Sequence, residues 1–182
     1  WVYHHAEDGM FYAFFTARTI QWPRHRRGCI GLAKSPDMIH WECLPPAYAP
    51  QLEATHEVPE LFHYQGVSIL IFGTTDNGLG MKYIVSDNPL EWDDEDPGRI
   101  ILGGPGRMEY SMTTAPGVGE NERDAIHLVY EWREDIEGNP RARGRVALPK
   151  EIAGPPEDLS LRLRSDLRPG DADATDTGVL LA

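Results

Sequence analysis

The sequence predicts an all-β fold in which short antiparallel sheets repeat along the chain. A serine and a tryptophan lie six positions apart in residues 35–41 and again in residues 86–92. Turn-forming positions recur at Gly9, Gly66 and Asp124, a period of about 57 residues. No long stretch places apolar residues at the 3.6-residue spacing of a helix. Repeated sheets of about four strands are typical of propeller blades, so we expect a β-propeller.

Each predicted unit begins at a turn and continues into residues with high strand propensity. In the first unit, Asp8 and Gly9 signal a hairpin turn that leads into an aromatic run. The strands expected in the three units are 1–5, 10–16 and 28–35; 61–64, 67–72 and 80–86; and the region after Tyr110, 125–130 and 144–148, with a last strand at 159–163. The first strand of each propeller blade lines the central channel, which predicts that Glu57 and Tyr110 lie near the axis.

The composition narrows the classes of partner. The 182 residues are 41% hydrophobic and 25% charged, which is typical of a globular chain able to bury a core. The formal net charge of -12 repels phosphate groups and anionic lipids, so we expect no nucleic-acid partner and no membrane partner. The 2 cysteines and 7 histidines show no metal-ligand spacing, so we expect neither a metal nor a cofactor. A neutral ligand is more compatible with this negative charge than an anionic one.

Glu57 is the first candidate for chemistry because it stands two positions before Pro59 at the expected start of a strand. A carboxyl group at a strand end can face a cleft, and a partly buried one can donate a proton to the leaving oxygen of a glycosidic bond. Glu53 and Glu60 compete for the same role. A solvated or hydrogen-bonded loop glutamate is the alternative interpretation.

Tyr110 and Trp132 are candidates for substrate binding. Both are expected near strand ends, and aromatic rings with one polar group suit the faces of sugar rings. Packing within or between blades is the alternative for both residues. His56 precedes Glu57 directly, so it either contacts the same ligand or is a passive neighbour.

Residues 28–42, together with 57–62, closely resemble the middle blades of glycoside hydrolase family 32, which includes invertases, levanases and inulinases. In that family a Glu-Cys-Pro motif carries the acid/base glutamate, and Glu57-Val58-Pro59 matches it with valine in place of cysteine. The resemblance implies a five-bladed β-propeller, shared with family 43, of which about three to four blades are present. It also implies hydrolysis of fructosyl linkages of the sucrose, levan or inulin type, with Glu57 as acid/base.

Further matches to the family lie downstream. Tyr110 resembles the tyrosine of a pocket-lining Tyr-Ala strand, and Trp132 resembles the tryptophan of a Gly-Trp strand end. Residues 148–151 resemble the Leu-Pro-Arg-Glu motif that closes the propeller. The resemblance covers about residues 1–165, and it implies a partial catalytic propeller at 1–153, followed at 154–182 by a strand and a flexible tail that could begin a linker to another module.

Two motifs of the family do not occur in these residues. They are Trp-Met-Asn-Asp-Pro-Asn, which holds the nucleophile, and Arg-Asp-Pro, which holds the stabilising aspartate. We therefore expect a fragment that lacks the first blade and is inactive by itself, because retaining hydrolysis needs a second carboxylate. The alternatives left open are a family 43-like arabinosidase or xylosidase and a noncatalytic carbohydrate-binding propeller. The expected partner is an oligosaccharide or polysaccharide, and the compartment and oligomeric state stay open.

Overall fold

The computed structural model describes residues 1–76, 80–104, 109–115, 126–133, 143–146 and 150–163. Within these residues the regular structure consists of antiparallel β-strands and two single-turn 3-10 helices, at Arg24–Arg26 and Pro156–Asp158. No helix in this described part is long and apolar enough to cross a lipid bilayer. The predicted all-β class is confirmed.

The strands form three sheets that follow one another along the chain. The first sheet contains β1 (Val2–His5), β2 (Met10–Arg18), β3 (Gly28–Ser35) and β4 (Glu42–Tyr48) in that order. The second sheet contains β5 (Glu57–Tyr64), β6 (Val67–Thr74), β7 (Gly80–Ser86) and β8 (Arg99–Gly103) in that order. The third sheet contains β9 (Glu109–Ala115), β10 (Ile126–Arg133), β11 (Arg143–Val146), β12 (Lys150–Ala153) and β13 (Ser160–Leu163).

The third sheet has four strand positions, like the other two. β9 pairs along one side of β10, while β11 pairs with residues 130–133 and β12 with His127 on the opposite side. β11 and β12 therefore share the third strand position, between β10 and β13. Three successive antiparallel sheets, each with four strand positions, make a partial β-propeller, in agreement with the prediction.

The second sheet is buried on both faces because apolar side chains point alternately to its two neighbours. Leu70 and Phe72 on β6 pack in a cluster with residues of the first sheet, such as Phe14. Ile69 and Ile71 pack on the other face in a cluster that includes residues of the third sheet, such as Met112. A strand buried on both faces needs a continuous apolar run, which explains the sequence of β6.

The serine–tryptophan repeat forms the same turn in the first and second sheets. In both 35–41 and 86–92 the indole nitrogen donates a hydrogen bond of 3.1 Å to the backbone carbonyl three positions before it. In both, the serine hydroxyl accepts a hydrogen bond from the backbone amide two positions after it. Trp41 and Trp92 therefore stabilise the connection from the third strand of a sheet to its fourth, as their recurrence in the repeat indicates.

Two of the differences from the predicted strand boundaries fall at candidate site residues. β5 begins at Glu57 and not at residue 61, so Glu57 is the first residue of the strand. β9 begins at Glu109, so Tyr110 lies within the strand that was expected to follow it. In β5 the reason is Pro59, which signals a strand break in sequence but is accommodated here at an irregularity of an edge strand.

Replacing Ile69 by alanine is expected to lower the free energy of unfolding by about 2–5 kcal/mol, because its side chain is fully buried and leaves a cavity. The matched control is Ile39→Ala, since Ile39 is 76% exposed. That change should stay within about 0.5 kcal/mol of the wild type. Urea unfolding followed by tryptophan fluorescence measures both, and equal effects would contradict the two-faced burial of the second sheet.

Candidate functional site

The candidate site lies at the edge of the second sheet where β5 starts. At this edge Glu57 pairs with Gly73 near the end of β6, and Thr74 pairs with Gly80 at the start of β7. The connection 49–56, between β4 and β5, contacts the first sheet at the same edge, where β3 starts. Its contact there is Gly28, the first residue of β3, whose backbone N–H donates a hydrogen bond of 2.8 Å to the Glu53 carbonyl.

Gly28 brings these two edges together because it has no side chain. A Cβ atom at this position would lie 2.7 Å from the backbone nitrogen of Thr55 and 2.9 Å from the carbonyl oxygen of Glu53. Backbone atoms cannot yield as a flexible side chain can. Glycine is therefore required for the close approach of the first sheet to the segment that precedes Glu57.

β5 contacts both neighbouring blades. It packs against β2 of the first sheet and against β9 of the third. The first strands of the first two sheets also meet, since the rings of Tyr3 on β1 and His63 on β5 are 5.6 Å apart. The first strands of the three sheets are thus grouped together, as expected for strands around a propeller axis.

A β-bulge follows Glu57 directly. Glu57 pairs with Gly73 and Glu60 with Ile71, so β5 contains one more residue than β6 over this interval. Val58 lies in the bulge with a φ of 45°, in the left-handed region that β-branched residues rarely adopt. The proline at position 59 restricts Val58 further. Such strain persists only where surrounding contacts hold it, and it is common at functional sites.

β9 contains an equivalent bulge. Tyr110 pairs with Tyr130 and Met112 with Val129, which leaves one extra residue on β9 directly after Tyr110. In backbone terms Tyr110 in the third sheet therefore corresponds to Glu57 in the second. The side chain of Tyr110 is outside the described residues, and so is that of Trp132, whose backbone pairs with Gly144 in the middle of the third sheet.

The three acids of this segment differ in exposure. Glu53 and Glu60 are 3% and 4% exposed, whereas Glu57 is only partly buried. The hydroxyl of Thr55 lies 3.5 Å from Glu57 Oε1. Of the three acids, Glu57 is thus the one that is not buried, and it is the most accessible to solvent or a ligand.

Glu53 is an ion-paired carboxylate. Lys82 Nζ lies 2.6 Å from Glu53 Oε1, and His56 Nε2 lies 3.5 Å from Glu53 Oε2. Burial raises the pKa of the Glu53 carboxyl, but the interactions with His56 and Lys82 outweigh burial and bring the pKa to about 2. Glu53 is therefore ionised at neutral pH and is a poor proton donor, which removes it as a rival acid.

His56 is a packing residue in this structure. Its side chain is 2% exposed, and its ring stacks on Tyr48 at 5.5 Å and contacts Phe72 at 4.7 Å. Its Nδ1 atom has no hydrogen-bond partner. A ring enclosed in this way is not on a surface that a sugar contacts, so the packing favours the passive interpretation of His56 over the predicted substrate contact.

Sequence reasoning missed Lys82 and Thr74. Lys82 lies 29 positions from Glu53, and its presence in the otherwise apolar β7 was the available signal. Thr74 is buried, and its side chain next to the Glu53 carboxylate helps to lower the pKa of that carboxyl. Among the residues that the structure describes, no cluster of histidine, cysteine or acidic side chains could hold a metal ion.

No protein-family model and no curated protein sequence matches this chain. Solved structures do match it. A GH32 β-fructofuranosidase of Bombyx mori is 14% identical with a TM-score of 0.65, over 91% of this chain and 36% of that one. An inulosucrase of Halalkalicoccus jeotgali bound to kestose is 17% identical with a TM-score of 0.64, over 90% and 49%. An endo-arabinase of Bacteroides thetaiotaomicron is 16% identical with a TM-score of 0.56, over 89% and 52%.

These similarities identify the fold. The chain has the partial propeller architecture of glycoside hydrolases and related sugar-transferring enzymes. It spans between about a third and a half of the length of those three structures.

Acidification is expected to destabilise the protein through Glu53. Its folded pKa of about 2 is below the value of about 4.3 in an unfolded chain, so the carboxylate stabilises the fold above pH 4.3. This stabilisation disappears as the pH falls towards 2, a loss of roughly 3 kcal/mol. Urea unfolding between pH 6 and pH 2 should show a flatter pH dependence for Glu53→Gln. The control Glu42→Gln removes an exposed pairing with Lys34 and should leave the wild-type slope.

The strain at Val58 predicts that a glycine variant is at least as stable as an alanine variant, the reverse of the usual order in a strand. Glycine in a strand is normally less stable than alanine by about 0.5–1 kcal/mol, but a left-handed backbone costs a side-chain-bearing residue about 1–2 kcal/mol. Val58→Gly should therefore unfold at an equal or higher urea concentration than Val58→Ala. At Val85 in β7, whose φ is not positive, the alanine variant should be the more stable one. If the alanine variant is the more stable one at both positions, the strained bulge is contradicted.

Proposed function

We propose that this chain is part of a glycoside hydrolase that cleaves fructosyl linkages of the sucrose, levan or inulin type, with Glu57 as the acid/base. One observation carries the proposal: Glu57 is the accessible acid of its segment, at the bulged start of a first strand. The likeness of the fold to a β-fructofuranosidase and an inulosucrase supports the substrate class.

In the proposed reaction a nucleophilic carboxylate bonds to the anomeric carbon, the bond from that carbon to the glycosidic oxygen breaks, and Glu57 donates its proton to the leaving oxygen. Glu57 then removes a proton from water, the water oxygen bonds to the anomeric carbon, and the ester to the nucleophile breaks. Retaining glycosidases place the two carboxyl groups about 5–5.5 Å apart. We propose that the nucleophile belongs to a part of the complete protein outside these 182 residues.

Aromatic side chains complete the proposed sugar site. Tyr110 supports this part of the proposal through its backbone position, which corresponds to that of Glu57 in the next sheet. Trp132 is proposed as a second aromatic contact on the basis of its sequence motif. An aromatic ring against a sugar face buries apolar surface while leaving the sugar hydroxyls to polar partners.

The second candidate is cleavage of arabinose-containing chains. It is favoured by the likeness of the fold to an endo-arabinase. Both candidates use an acid glutamate, so the preferred sugar is used to separate them. Hydrolysis of arabinan with no hydrolysis of sucrose, levan or inulin would establish the second candidate over the first.

Glu57→Gln in the complete protein is expected to lower kcat about 10²–10⁴-fold on the preferred sugar, because glutamine cannot transfer the proton. Reducing-sugar release from sucrose, levan, inulin and arabinan measures it. Glu42→Gln on β4 is the matched control and should keep wild-type turnover, since Glu42 is exposed and outside the site.

Undiminished turnover by Glu57→Gln would remove Glu57 from the mechanism. Binding of these sugars with no hydrolysis by the complete wild-type protein would instead indicate a noncatalytic sugar-binding propeller. Isothermal titration calorimetry with the same sugars distinguishes the two results.

A further inference from the structure

Glu53 and Lys82 form a buried ion pair, and Glu53 lies four positions before Glu57 in the chain. The Lys82 ammonium lies 2.6 Å from Glu53 Oε1, and the two side chains are 15% and 5% exposed. Lys82 also donates a hydrogen bond of 3.1 Å to the Pro97 carbonyl. Burying an ion pair costs desolvation free energy that an apolar pair of similar volume does not, so stability alone does not explain why these two positions carry charges.

The ion pair connects two parts of the chain that strand pairing does not join. Glu53 belongs to the connection 49–56, which leads into β5. Lys82 belongs to β7, which is separated from β5 by β6. The Glu53–Lys82 contact therefore anchors the segment before Glu57 to the interior of the second sheet.

Other contacts hold the same segment from different directions. The Glu53 carbonyl accepts the Gly28 N–H of the first sheet at 2.8 Å. The Ala54 N–H donates to Asp76 Oδ2 at 2.6 Å, and the His56 ring is enclosed by aromatic neighbours. Glu53, Ala54 and His56 are thus held by contacts outside the segment, and the side-chain contact of Glu53 is an ion pair.

We propose that the Glu53–Lys82 ion pair positions the carboxyl group of Glu57 for proton transfer. The inference rests on the proposed role of Glu57. A general acid has to lie within about 2.6–3.2 Å of the oxygen that it protonates. A misplacement of about 1 Å costs on the order of 10²-fold in rate. Glu53 and Lys82 are positioning residues, since they act through the segment that ends at Glu57.

The decisive variant is the double substitution Glu53→Gln with Lys82→Met. Lys82→Met alone leaves an unpaired buried carboxylate and could unfold the protein, whereas removing both charges avoids that cost. Lys34→Met is the matched control, because Lys34 occupies the third strand of the first sheet and its pair with Glu42 is partly exposed. Thermal unfolding should show cooperative transitions close to the wild type for both variants.

The leaving group of the substrate separates positioning from general damage. The leaving group of sucrose is poor and has to be protonated as it departs. The 4-nitrophenyl glycoside of fructose instead releases a stable phenolate with little help from an acid. The double variant should lose about 10–100-fold in kcat/KM on the natural sugar and less than about 3-fold on the aryl glycoside. Lys34→Met should lose less than about 2-fold on either substrate.

Equal losses on both substrates, or no loss on either, would overturn the positioning role. Hydrogen exchange of the backbone amides at 53–58 tests it without turnover. The double variant should exchange there at least about 10-fold faster than the wild type, while the amides at 29–35 of β3 exchange at the wild-type rate. If the complete wild-type protein hydrolyses none of the sugars, the proposed function fails, and unchanged exchange at 53–58 would then overturn the anchoring as well.

Discussion

The burial of the second sheet on both faces is the constraint on which the rest of the structure depends. Its strands lie between the first and third sheets, so every polar group within it has to be paired or to reach an edge. Lys82 meets this condition by pairing with Glu53 and Pro97. Glu57 meets it by lying at the end of the sheet, where the residue is only partly buried.

The bulge after Glu57 reconciles strand pairing with the placement of a functional side chain. An extra residue lets β5 continue its ladder to Tyr64 while the backbone bends at Val58 and Pro59. The recurrence of a bulge after Tyr110 makes this a shared feature of the second and third sheets and not an irregularity of one strand. Equivalent positions at the starts of successive first strands are where a propeller collects residues from several blades around one ligand.

Much of the fold could be predicted because strand order in a blade is local. The repeat of serine and tryptophan, with its turns, located β3 at 28–35 and β7 at 80–86 correctly. The start of β5 could not be predicted in this way, since Pro59 is a break signal unless the strand lies at an edge and bulges. Edge position and register depend on neighbours that lie far away in sequence.

The sequence by itself determined the blade repeat, the all-β class and the Glu-Val-Pro motif, because these depend on spacings within a few residues. Tertiary structure alone decided which acid stays accessible, since Glu53, Glu57 and Glu60 are alike in sequence and differ in burial. It also decided that the Glu53 carboxylate is ion-paired with Lys82, a partner 29 positions away on β7. Burial and ion pairing are properties of the packed sheets, and no local spacing encodes them.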